Sequence, residues 1–123
     1  MLYAILCYDS EENYSAWTQA QDDELMARLG VVVEKLDKQG KLGPTARLMP
    51  TTTATSLRKG RETVVLDGPF AETKEQLLGF YVVECVSLEE ALEIAGELGQ
   101  ASLTTGTFEV RPIRSLHAGG VKA

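Results

Sequence analysis

The sequence predicts an α+β fold, a two-layer sandwich in which two helices cover one face of a largely antiparallel sheet. Two segments carry apolar residues at helical spacing, and the segments between them are rich in β-branched and alternating apolar residues. The two kinds alternate in the order β–α–β(hairpin)–β–α–β. At 123 residues and 13.4 kDa the chain has the size of one domain, large enough to bury a core without disulfide or metal staples.

Each element follows from its residues. Leu2–Tyr8 is apolar on both alternate faces, as expected of a strand inside a sheet. Asp9-Ser10-Glu11-Glu12-Asn13 ends it with turn-forming residues. From about Trp17 to Gln39 the period changes: Leu25, Met26, Leu29, Val32, Val33 and Leu36 form one helical stripe. Asp22, Asp23 and Glu24 near its start and Lys35 and Lys38 near its end match the helix dipole, and Gly40 suits its C-terminal cap. Gly30 inside it costs about 1 kcal/mol against Ala and is expected to mark close packing.

Ala46–Met49 reads as a short extended segment ended by Pro50. Thr51–Arg58 and Glu62–Leu66, on either side of Lys59-Gly60-Arg61, read as a β-hairpin. Gly68-Pro69 stops the ladder, because proline lacks the donor and fixes φ. Gly79–Val86 is again a nearly continuous apolar run, expected to be central. Ser87-Leu88-Glu89-Glu90 has the spacing of a capping box, and Leu88, Ala91, Leu92, Ala95 and Leu98 predict a second helix ending near Gly99. Thr107–Ile113 is a last strand, with Pro112 confining it to an edge or terminal position. Residues 1–114 thus form the domain, and residues 115–123 are expected to be a disordered tail.

This order is the ferredoxin-like pattern with an inserted β-hairpin. Two helices cover one face of such a sheet and leave the other apolar and wet, which predicts a homodimer.

Composition narrows the function. The net charge of −6 argues against binding nucleic acid or anionic membranes, both of which require clustered Lys and Arg. The sign is uneven: residues 1–24 carry −6, residues 25–61 carry +6, and the rest −6. That pattern suits a local anion site, an electrostatically complementary partner surface or an ordinary solvated surface. Cys7 and Cys85 lie in apolar runs, as buried thiols of a cytoplasmic protein do, and His117 is the only histidine, so no metal or cofactor site is expected. The N-terminus lacks the basic start and long apolar run of a signal peptide or membrane span.

Val65-Leu66-Asp67-Gly68-Pro69-Phe70-Ala71-Glu72-Thr73-Lys74-Glu75-Gln76-Leu77-Leu78-Gly79-Phe80 resembles the signature of DGPF-domain proteins of the YCII-related family. Thr53–Arg58, Ser87–Ala95 and Phe108–Ile113 extend the resemblance over residues 2–114. It implies a dimeric α+β barrel and small bacterial proteins, often encoded beside extracytoplasmic-function sigma factors. It also implies a proposed His–Asp pair in a cleft. Here the chain departs from the pattern, because His117 lies after the last core strand.

Asp67, Glu72, Lys74 and Glu75 crowd a loop after a strand, where binding residues tend to sit. The candidate ligand-binding residues are Asp67, Phe70, Glu72, Lys74 and Arg111, and the candidate catalytic acids are Asp67 and Asp9. The same residues have a structural reading: Asp-Gly-Pro is turn chemistry, Phe70 can plug a dimer core, and Asp9 can order the turn after the first strand. Tyr3, Tyr8 and Tyr81 offer phenolic donors to a cleft or serve as core residues with one wet end. Two functions stay open: a homodimer that binds a small molecule or is an enzyme of a reaction its residues do not name, or a non-catalytic regulatory protein that binds a partner in sigma-factor signalling.

Overall fold

A computed structural model describes residues 1–122. Eight regular elements occur in the order β1 (Leu2–Asp9), α1 (Gln19–Lys38), β2 (Leu42–Arg47), β3 (Thr55–Arg58), β4 (Val64–Asp67), β5 (Gln76–Glu84), α2 (Leu88–Ala101) and β6 (Thr107–Pro112). The main sheet has the strand order β2-β5-β1-β6 and every pairing in it is antiparallel. β3 and β4 form a separate two-stranded sheet. The architecture is the expected α+β, ferredoxin-like one, with the hairpin set apart from the main sheet.

The central places fall to the apolar strands. β1 lies between β5 and β6, and β5 lies between β1 and β2. Tyr3, Ile5, Cys7 and Asp9 alternate with Leu2, Ala4, Leu6 and Tyr8 along β1. The odd set meets the helices: Tyr3, Ile5, Val83, Leu36, Ala91, Ile94 and Leu98 form the buried core. The even set is half-buried on the other face.

Helix ends follow their local chemistry. Thr18 caps α1 through a reciprocal box, its hydroxyl accepting from Gln21 N–H at 3.2 Å and Gln21 Oε1 accepting from Thr18 N–H at 2.9 Å. At the other end Gly40 takes φ +69°, Gly40 N–H donates to Asp37 O and Lys41 N–H to Leu36 O, the double bond of a Schellman motif. Ser87 accepts from Glu90 N–H at 3.2 Å to cap α2. The Glu90 carboxylate reaches Val86 N–H and Lys41 rather than Ser87. α2 runs through Gly99 to Ala101. No basic residue lies in its last turn; Arg28 of α1 supplies the cation, donating to the carbonyls of Gln100 and Ala101.

Three local expectations change. β2 begins at Leu42 rather than Ala46, because Gly43 and Pro44 are absorbed in an irregularity on an edge strand, where a missing donor is tolerated. A Cβ on Gly43 would lie 3.0 Å from Val82 Cγ1, so the glycine allows the strand to close on β5. Thr51–Thr53 is a 3₁₀ turn instead of the start of β3. Gly30 is not a close-packing point: a Cβ there would meet nothing within 4 Å. Pro112 is the last residue of the edge strand β6, as its chemistry requires. Residues 114–122 carry no helix or strand, and Ala123 of the expected tail lies outside the described residues.

Candidate ligand-binding cavity

α1 does not pack flush on the sheet along its whole length. Leu25 and Leu36 are buried, but Leu29 and Val33 are partly exposed and Met26 is 44% exposed. Between them and the sheet lies a cavity of about 1360 Å³. Its walls come from α1 (Leu25, Met26, Leu29, Gly30, Val33), from the sheet (Cys7, Thr45, Arg47, Tyr81, Phe108), from α2 (Ala95, Gly96, Gly99) and from the loop that carries Tyr14 and Trp17. The lining is mostly apolar, with a few polar groups, the composition of small-molecule sites.

Two helix glycines, Gly30 and Gly96, face this space, and a Cβ on either would meet nothing within 4 Å. Each costs its helix about 1 kcal/mol relative to alanine. No packing constraint accounts for them, and their shared effect is to widen the cavity.

Asp9 closes one end. It is 5% exposed and both its oxygens are filled. Oδ1 accepts from Ser10 N–H at 2.7 Å and from Asn13 Nδ2 at 2.9 Å; Oδ2 accepts from Tyr14 Oη at 3.0 Å and from Thr104 Oγ1 at 2.5 Å. Four donors match the four lone-pair sites of a carboxylate. The approach of the α2–β6 loop depends on Gly106, where a Cβ would lie 2.5 Å from Tyr8 O and 2.9 Å from Asp9 Cγ. Asp9 in this arrangement ties two loops to the end of β1 and holds Tyr14, and no acceptor site is left over for abstracting a proton from a ligand.

Tyr14 stacks obliquely on Trp17, with ring centroids 4.6 Å apart. Burial, above all, pushes the Tyr14 phenol above its ordinary range, so it stays a neutral donor. Tyr81 is raised for the same leading reason. Cys7, on the cavity wall, is pushed up to about 12 by burial, and Cys85 is raised by burial too. Neither thiol has thiolate character at neutral pH. Arg47, at the end of β2, makes a two-pronged ion pair with Asp22 in the first turn of α1, at 2.5 and 3.1 Å.

The sequence-selected residues lie elsewhere. Asp67 ends β4 and is exposed. Gly68 beside it has φ +91°, its N–H donates to Ala54 O and its carbonyl accepts from Ser56 Oγ, so the Asp-Gly pair ties the open base of the hairpin, where the chain leaves β4. Phe70 is 85% exposed, and Glu72 is exposed. Lys74 borders a smaller cleft of about 450 Å³ with Glu11, Glu12 and Thr51. Arg111 is exposed on β6, across the sheet from that loop. Of the candidates, Asp9 alone lines the large cavity within one chain. Tyr8 and Tyr81 line it as well, while Tyr3 is buried in the core.

Tyr14, Trp17, Asp22 and Arg47 escape a reading by motif. Their one sequence signal is a pair of aromatic residues in a strand-to-helix loop, a common place for binding side chains. Among the described residues no helix is long and apolar enough to cross a membrane, and no group of three His, Cys, Asp or Glu side chains is placed to hold a metal ion.

Comparison with known proteins agrees with the fold. The sequence profile of the YCII-related domain matches residues 1–117. An uncharacterised protein of Rhizobium meliloti (strain 1021) is 55% identical over 114 residues, covering 92% of each chain.

Proposed function

The chain belongs to the YCII-related family, and from that premise we propose that it binds a small, largely apolar molecule in the cavity beneath α1. The observation that carries this reading is the pair of cavity-facing glycines, Gly30 and Gly96, kept at a cost in helix stability where a side chain would narrow the space. The lining is apolar, Tyr81 is a neutral phenol able to donate, and Trp17 stands at the wall. The 67–76 loop, with Asp67, Phe70, Glu72 and Lys74, enters the site only if a second copy brings it there.

A homodimer supplies that second copy. Leu57, Val65 and Phe70 on and beside the hairpin are 58%, 62% and 85% exposed, an apolar surface too large to leave in water without reason. The half-buried even-numbered face of β1 is unpartnered as well. Pairing of two such chains, as in a dimeric α+β barrel of the DGPF type, buries both. The alternative is a regulatory protein that uses this surface for a different partner, in sigma-factor signalling; it gives no reason for the cavity.

A thermal-shift screen of metabolites tests the reading, since a ligand that binds only the folded state raises the melting temperature. Hits are expected on the wild type and lost in Gly30→Leu and Gly96→Leu, which fill the space while favouring the helices. Hits that survive both substitutions contradict the site. Light scattering at micromolar concentration tests the assembly: twice the chain mass supports the dimer, and the chain mass contradicts it.

A further inference from the structure

We propose that the molecule bound beneath α1 carries a carboxylate, and that this group takes Arg47 from Asp22 on entry. The inference rests on the cavity reading above and adds the ligand's charge. Arg47 is the one cation on the cavity wall among the described residues. The wall also carries three carboxylates, and two are already held by neutral donors. Asp9 has four donors, and Glu11 accepts from Thr51 N–H and Thr51 Oγ1, both at 2.9 Å. Asp22 is the third, and it is the one that holds Arg47.

The pair is built for exchange. Two nitrogens of Arg47 face two oxygens of Asp22, and a ligand carboxylate presents the same fork, so the hydrogen bonds lost on opening are remade. The Arg47 and Asp22 side chains are 51% and 32% exposed, which screens their attraction and makes the pair cheap to open. Arg47 also lies near the phenols of Tyr14 and Tyr81, close enough for both to feel its charge. A carboxylate at Arg47 therefore has the neutral Tyr81 phenol nearby as a donor, and its apolar body extends toward Leu29, Val33 and Phe108.

Trp17 is the only tryptophan and stands on the cavity wall, so its fluorescence reports occupancy. Three probes of one shape separate the charges: 4-phenylbutyrate, 4-phenylbutanol and 4-phenylbutylamine. The butyrate is expected to bind about tenfold or more tightly than the alcohol. Arg47→Gln is expected to erase that preference, and Asp22→Asn to tighten the butyrate several-fold without changing the alcohol. Should Arg47→Gln fail to fold, the Asp22→Asn arm decides: unchanged or weaker butyrate binding overturns the proposal. Equal binding of acid and alcohol, or tighter binding of the amine, overturns the carboxylate while leaving the cavity reading intact. No response to any of the three probes, in Trp17 emission or melting temperature, overturns both.

Discussion

Thr104 donates its hydroxyl to Asp9 Oδ2 at 2.5 Å across 95 positions of sequence, joining the loop before β6 to the end of β1. The same oxygen takes the Tyr14 hydroxyl, and Tyr14 Oη and Thr104 Oγ1 are themselves 2.7 Å apart. Three side chains from three segments thus fix one end of the cavity. Asp9→Ala would remove the acceptor that four donors share and untie two loops from the end of β1, at a cost of roughly 2–4 kcal/mol. Urea denaturation is expected to show that loss. A variant as stable as the wild type would mean that the Asp9 cluster holds nothing.

Gly30→Ala is expected to act in the opposite direction. The position is helical, its φ is ordinary, and a Cβ meets nothing within 4 Å. The substitution should stabilise the fold by about 1 kcal/mol. A destabilised variant, seen in the same urea experiment, would show that α1 needs the glycine for packing after all.

The ion pair between Arg47 and Asp22 gives a pH dependence with a definite sign. Arg47 holds the Asp22 carboxyl below its ordinary range. A carboxylate whose folded pKa is depressed binds fewer protons in the folded state, so its stabilisation is present at neutral pH. That stabilisation fades as pH falls through the ordinary carboxylate range toward the lower folded value. NMR titration should therefore find the Asp22 carboxyl shifted down in the wild type and returned upward in Arg47→Gln. An identical titration in both proteins would contradict the pair.

Cys7 should be chemically quiet despite lining a cavity. With its thiol pushed up to about 12, a fraction on the order of 10⁻⁴ is thiolate at pH 8. Iodoacetamide is expected to leave it unmodified for hours at that pH and to label it readily in urea, by mass spectrometry. Rapid labelling of the folded protein would assign it a nucleophilic character that its surroundings do not support.

Much of the fold was legible because periodicity is a local property. The apolar runs of β1 and β5 placed both strands inside the sheet, and Pro112 placed β6 at an edge. The start of β2 was not legible, because Gly43 and Pro44 read as breakers until an edge strand supplies the setting that tolerates them. The cavity was less visible still. The stripe from Leu25 to Leu36 reads as core whether or not the helix stands away from the sheet, and Gly30 reads as tight packing when it borders empty space. Asp22 and Arg47 meet only because the fold brings the first turn of α1 beside the last residue of β2. The Asp67–Gln76 stretch stands out in the sequence because its turn chemistry is so restrictive, and within one chain its Asp-Gly start ties the base of the hairpin rather than lining the cavity.

Whether the space beneath α1 binds a ligand is decided by an NMR titration of the wild-type protein with 4-phenylbutanol, the neutral probe, following side-chain and amide resonances. Binding beneath α1 predicts shifts of the Trp17 indole, Leu29, Val33, Tyr81 and Phe108, with Leu57 and Val65 on the hairpin unmoved. Shifts confined to the hairpin and the loop from Asp67 to Gln76, or no shifts at all, would contradict it.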